Sequence, residues 1–275
     1  MTVASFAFMK LTNIFTATLI AASIPFASIA QSAPAQIDVS DFPATMVDDV
    51  VVPVPSEIFS VLDKLGTPDW RDQLRENPVG KLGDGTQIAL LLGTVVAEGF
   101  IAVQARDSER VKEIGREVLR LSDAMGVRQA VIAHCNSIIE GADAKDWRRV
   151  RSELDKAQQN VRQAMLELRD GERAQLVSLG GWLRGTEVLT AIVMANYTED
   201  GAELLHQPML VEYFINQLDS MSPKIVRNPI VPSISTVLKE ILPLVKNEGA
   251  VIKDDVIKIN GLVTGIVKSI VDPGN

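Results

Sequence analysis

The sequence predicts an all-α fold: a single-domain multi-helix bundle with two apolar central helices, preceded by a signal peptide and an extended Pro-rich arm. Three observations predict it. Apolar residues recur at helical spacing in nearly every segment from Ser56 onward. Two long stretches are apolar on all sides, which places them inside the bundle rather than on its surface. No segment outside the arm alternates with the period of a strand.

Residues 1–30 read as a secretory leader. Lys10 is the only charge, an apolar run IFTATLIAASIPF follows, and Ser28-Ile29-Ala30 places small residues before a cleavage expected after Ala30. Met9, next to Lys10, would open the same leader. No cysteine follows the apolar run, which disfavours a lipid anchor, and the run is short for a span of about 20 residues. Export to the periplasm or the medium is therefore expected, with no transmembrane span after cleavage. Without Lys10 the chain carries 26 basic against 35 acidic side chains, near −9. An acidic chain with no basic block is a poor partner for nucleic acid or an anionic membrane. One cysteine, Cys135, forbids an intrachain disulfide, and a mature chain of this size can bury enough core without one.

Residues 31–55 form the arm, acidic and proline-spaced at first and then apolar, with valines expected to dock on the body. The helical domain spans 56–275. Ser56 caps a helix SEIFSVLDKLG, and Thr67-Pro68 starts a second, TPDWRDQLRE, through N-cap and N1 preferences. Asp84 opens the first central helix, with Gln87 at capping-box spacing. Amphipathic helices are expected over 108–125 and 143–169. The latter carries a stripe Trp147, Val150, Leu154, Ala157, Val161, Ala164 and Leu168. A shorter helix containing His134 and Cys135 lies between them. The second central helix covers about 172–197, and Pro208 starts another. Residues 222–232, with three prolines, are expected to be a loop before a C-terminal helical hairpin over 230–271, whose first helix Pro243 should kink or shorten.

The stretch LVSLGGWLRGTEVL, Leu176 to Leu189, poses the main question. Glycine inside a helix costs about 1 kcal/mol against alanine, yet Gly180, Gly181 and Gly185 lie on one central helix, and Gly93 and Gly99 on the other. Close backbone approach is the expected compensation, with Gly181 and Gly185 at small-xxx-small spacing and Trp182 filling space beside the crossing. Glu98, Arg184 and Glu187 are lone charges in apolar surroundings, so each must pair: Arg184 with Glu187 at i, i+3, and with Glu98 across the helices. This candidate buried ionic cluster reads first as a register-fixing network. A carboxylate pair on facing helices could instead perform acid–base chemistry. Metal binding is not expected, because Glu203 and His206 form a single Glu-x-x-His where a di-metal carboxylate bundle needs two, and Arg184 repels a cation. No cofactor fingerprint and no catalytic motif is present. His134 and Cys135, adjacent on one helix, cannot face each other as a nucleophile and base.

PVPSEIF (Pro53 to Phe59), LLGTVVAEGF (Leu91 to Phe100) and LVSLGGWLRG (Leu176 to Gly185) resemble segments of a family of exported all-helical proteins of unknown function from Gram-negative bacteria. The resemblance covers most of residues 50–200. It implies an all-α fold and carries no activity, cofactor or catalytic residue. The expected role is that of a non-enzymatic exported protein binding a periplasmic or envelope partner, a protein or another envelope component. The alternatives are an apolar, lipid-like small-molecule binder and an enzyme using the carboxylate pair.

Overall fold

The structure, a computed structural model, describes residues 45–47, 50–52, 68–76, 80–247 and 249–273. The leader, the helix expected at Ser56 and most of the arm lie outside the described residues. Within the arm, β1 (Thr45–Val47) pairs antiparallel with β2 (Val50–Val52), Met46 opposite Val51. The other described elements are helices: α1 (Gly85–Gln104), α2 (Ser108–Ala124), α3 (Arg128–Asp143), α4 (Trp147–Glu167), α5 (Gly171–Ala195), α6 (Glu199–Glu203), α7 (Pro208–Asp219), α8 (Pro223–Val226), α9 (Ile230–Val245) and α10 (Lys253–Val271). The fold is a multi-helix bundle with the apolar helices α1 and α5 at its centre.

Four tight turns set the topology of α1 to α5. After each of the first four helices one residue takes a left-handed conformation: Arg106, Gly126, Lys145 and Arg169. The next N–H then reaches back to a carbonyl five residues earlier: Asp107 to Ala102, Val127 to Ser122, Asp146 to Gly141 and Asp170 to Met165. This terminator satisfies carbonyls that the helix end leaves free and reverses the chain at once. Asp107 and Asp146 then cap the following helices by accepting from the Arg110 and Arg149 N–H groups at 3.0 and 3.1 Å. Turns this short make successive helices antiparallel neighbours, and α2, α3 and α4 accordingly pack in sequence.

Chain order does not continue at α5, which packs chiefly on α1. Helix α1 is buried from Thr86 to Val103, enclosed by α2, α4, α5 and α10. Both α1 and α5 have the length and hydropathy of a membrane span, but protein covers all of α1 and most of α5. The amphipathic stripes face this centre: Val111, Ile114, Val118 and Leu121 on α2, and Val150, Leu154, Ala157 and Val161 on α4. The C-terminal pair α9 and α10 packs together, with α10 on α5 and α9 on α7. Asn260 of α10 donates to the Glu187 carbonyl and to the Thr190 hydroxyl, at 3.2 and 2.9 Å.

Several local expectations are corrected. Met165, not Leu168, ends the α4 stripe; Leu168 is the C-cap and 59% exposed, because α4 has ended at Glu167 and the chain turns away at Arg169. Residues 222–232 are not a loop: Pro223 stands at N1 of α8, and Pro232 lies in the first turn of α9, where a missing N–H costs nothing. Pro243 is accommodated within the last turn of α9, which stops at Val245. Asp84 caps α1 by accepting from the Thr86 and Gln87 N–H groups, each at 3.0 Å. Gln87 forms no capping box; its amide donates to the Ser269 and Ile270 carbonyls at 3.1 and 2.6 Å, satisfying the end of α10. Residues 68–76 form no helix but successive turns, Gln73 N–H to Trp70 and Leu74 N–H to Arg71. Their backbone is committed elsewhere.

Candidate functional site

The two central helices meet backbone to backbone. A Cβ built on Gly93 would stand 2.8 Å from both the Gly181 nitrogen and the Val177 carbonyl carbon; one on Gly180 would stand 2.9 Å from the Leu90 carbonyl carbon. Neither position has room for a methyl group. Thr94 ties the crossing, its hydroxyl donating to Leu90 at 3.0 Å and lying 3.3 Å from the Gly180 carbonyl. Gly181 is looser, with the Gly93 oxygen 3.5 Å from its built Cβ. Gly99 is not at the crossing: its built Cβ meets Leu154 of α4 and Ile114 of α2, at 3.2 and 3.3 Å. Gly185 is buried one turn further along α5. Trp182, the residue after Gly181 on α5, is buried. Its ring packs on Phe214 of α7, centroids 5.4 Å apart, and its indole N–H faces the Gln207 side-chain oxygen at 3.4 Å.

Past the crossing the two helices bring their charges together. Arg184 lies between the carboxylates: Nε donates to Glu98 Oε2 at 2.9 Å and Nη1 to Glu187 Oε2 at 2.7 Å. Its third nitrogen, Nη2, donates to the Gln73 carbonyl in the segment before α1. Glu98, fully buried, also receives Arg75: the backbone N–H at 2.8 Å on Oε1 and the Nε at 3.2 Å on Oε2. Two guanidinium groups thus balance two carboxylates.

Sequence reasoning missed Arg75, because it sits in a polar run that looked like a surface helix. The available signal was charge count. One arginine between two glutamates in an apolar helix pair leaves a net negative charge, and burial of Glu98 demands a second cation.

The electrostatics follow from this geometry. Burial alone would raise the Glu98 carboxyl, but the guanidinium charges of Arg184 and Arg75 and the Arg75 N–H more than offset it, so its pKa lies below the ordinary carboxylate value. Burial pulls the Arg75 guanidinium below its usual value despite Glu98. Burial opposes the charge on Arg184 as well, yet Glu98 and Glu187 hold its pKa above the usual value. Both oxygens of Glu98 and all three nitrogens of Arg184 are engaged. A general base needs an oxygen within hydrogen-bond reach of substrate, and here those positions are taken by the protein's own backbone and guanidinium groups.

A second anchor holds the same segment nearer α1. Glu117 of α2, also buried, accepts the Gly80 N–H at 3.3 Å, while Arg120 donates to the Gly80 carbonyl at 2.9 Å and to Glu117 at 2.7 Å.

His134 and Cys135 have separate lives. His134 Nδ1 lies 2.7 Å from Glu153 and Nε2 lies 2.8 Å from the Asn160 amide, which ties α3 to α4. Accepting from the amide at Nε2 fixes the neutral ring as the Nδ1–H tautomer. Cys135 is fully buried, and burial pushes its thiol up to about 12. Among the described residues, no three His, Cys, Asp or Glu side chains converge as metal ligands.

One surface depression, about 130 Å³, lies between α4, α5 and α7 and is lined by Arg162, Leu166, Tyr213 and Phe214 among others. That is below the several hundred Å³ of a typical small-molecule site. Comparison with family models, curated protein sequences and solved structures finds no match to the chain.

Proposed function

We propose that this chain is an exported, non-catalytic helical protein that binds a protein partner of the bacterial envelope. The observation that carries the reading is the saturation of the buried charges: Glu98 and Arg184 spend their hydrogen-bonding capacity on Glu187, Arg75 and the Gln73 carbonyl. Such a network fixes how helices and chain segments pack. The leader pattern of residues 1–30 and the resemblance of PVPSEIF, LLGTVVAEGF and LVSLGGWLRG to an exported family support the address.

The test has two parts. Cell fractionation with N-terminal mass analysis should find a chain beginning at Gln31 outside the cytoplasm. Cross-linking in intact cells should then yield an envelope protein that, purified alone, binds the purified chain in calorimetry. Turnover of a substrate by the pure protein, abolished by Glu98→Gln with the fold intact, would replace this reading with the enzymatic one. A lipid-like molecule retained through purification and seen by native mass spectrometry would favour the apolar-ligand reading, for which the depression beside Leu166, Tyr213 and Phe214 is the described feature.

A further inference from the structure

We propose that Trp70–Glu76 is a strap that opens as a unit while the bundle stays folded, giving water access to the Glu98–Arg184–Glu187 cluster. Among the described residues, the strap makes no backbone ladder with any helix. Its outward residues Arg71, Asp72 and Glu76 are exposed, and among the described residues its hold on the body is a short series of separate anchors. Trp70 is buried in the core. The Arg75 N–H and Nε bind Glu98, the Gln73 carbonyl accepts from Arg184, and the Glu76 carbonyl faces both terminal nitrogens of Arg110 at 3.4 Å. Arg71 adds a loose pair with Asp107 at 3.8 Å.

One feature opposes closure. The Arg75 Nη1 and Nη2 atoms are buried and have no hydrogen-bond partner. Unsatisfied buried donors carry their full desolvation cost, and burial accordingly pulls this guanidinium below its usual pKa. When the strap lifts, those N–H groups regain water, and Glu98 exchanges two strap donors for solvent while keeping Arg184. The helices lose the Trp70 contact, the packing of half-buried Leu74 and a few side-chain bonds. Opening is thus far less costly than unfolding α1 or α5, whose apolar faces form the centre of the bundle. This inference does not depend on the proposed partner; it concerns the access that any partner, or water, has to the buried charges.

Amide exchange followed by NMR on the full chain tests it. The Arg75 N–H, bonded to Glu98 across the strap–body contact, reports lifting directly. The Gln73 and Leu74 N–H groups, bonded within the strap to Trp70 and Arg71, are released when the lifted strap loses its turns, so the three should share one protection factor. That factor should fall roughly tenfold or more below those of mid-α1 and mid-α5 amides, and low denaturant should leave it unchanged. Arg110→Ala removes a contact that touches the strap only at Glu76, and it should raise exchange at the Arg75 N–H by about threefold, the effect of one modest hydrogen bond. Glu98→Gln should raise all three amides together. The proposal is overturned if the Arg75 N–H exchanges only in step with α1 and α5. It is equally overturned if Glu98→Gln moves Arg75 alone and Arg110→Ala moves nothing.

Discussion

Adjacent glycines on α5 should respond to the same substitution with opposite signs. Alanine at Gly180 puts a methyl carbon 2.9 Å from the Leu90 carbonyl carbon and nearer still to its oxygen, and alanine at Gly93 meets Val177 and Gly181 equally closely. These obstacles are backbone atoms in the middle of two buried helices, so no rotamer change relieves them. Ordinary contact begins near 3.4 Å, and α1 and α5 must therefore separate by at least about half an ångström along their most extensive interface. Overpacking of this kind costs about 1–3 kcal/mol or more, against roughly 1 kcal/mol gained in helix propensity. Because the displaced atoms cannot yield individually, the upper part of that range applies, and the net loss should be about 2 kcal/mol. At Gly181 the nearest atom is 3.5 Å from the built Cβ, so alanine there is accommodated and should be neutral or stabilising by up to about 1 kcal/mol. Thermal unfolding read by circular dichroism measures all three variants. For a domain of this size the expected shift is about −4 to −8 °C in Tm for Gly180→Ala and Gly93→Ala, and zero to a few degrees upward for Gly181→Ala. Equal effects at Gly180 and Gly181 would refute the close-approach account, since propensity alone treats the two alike.

The remaining predictions concern charge, thiol and turns. Glu98→Gln leaves Arg184 and Arg75 short of a counter-charge in the core and should cost about 3–5 kcal/mol in chemical unfolding. Because the folded pKa of Glu98 is depressed, its contribution is complete above the ordinary carboxylate value near 4 and is lost as pH falls through the folded value. Wild-type stability should therefore decline below about pH 4, and Glu98→Gln should flatten that part of the profile. Cys135 should resist a thiol reagent at pH 8 in the native protein and react on denaturation; fast native labelling would contradict its burial. Lys145→Gly should stabilise by up to about 1 kcal/mol, because it relieves a left-handed residue at φ 55° in the α3–α4 turn, with Tm as the readout.

The turn chemistry shows how far the sequence alone could reach. Asp107 and Asp146 are N-caps, and each follows a helix end whose apolar stripe has run out, so helix limits between α1 and α5 were legible to within a few residues. Gly126 announces its left-handed turn. Arg106, Lys145 and Arg169 do not, because a basic residue carries no steric preference for that conformation and adopts it only when the flanking helices impose it. Two misread local signals share one cause. Thr67-Pro68 has the local signature of a helix start, yet the backbone after it is drawn to Glu98 and Arg184, charges distant in sequence whose burial demands hydrogen bonds from whatever chain lies above them. Gln87 likewise fits a capping box by spacing, but the end of α10 offered its amide unsatisfied carbonyls.

By itself the sequence determined the all-helical class, the two apolar helices that had to lie innermost, and the requirement that the charges within them be neutralised. Periodicity, capping and the cost of burying a lone ion are local or composition-level properties, and they survive without coordinates. Tertiary structure alone decided which atoms met. It placed Gly93 and Gly180 at the close approach while sending Gly99 to face α2 and α4, turned Trp182 toward α7, and supplied Arg75 as the fourth charge. Those outcomes depend on the rotation of each helix about its axis and on a chain segment with no periodicity of its own. Both are fixed only when the bundle closes and every buried polar group must find its partner at once.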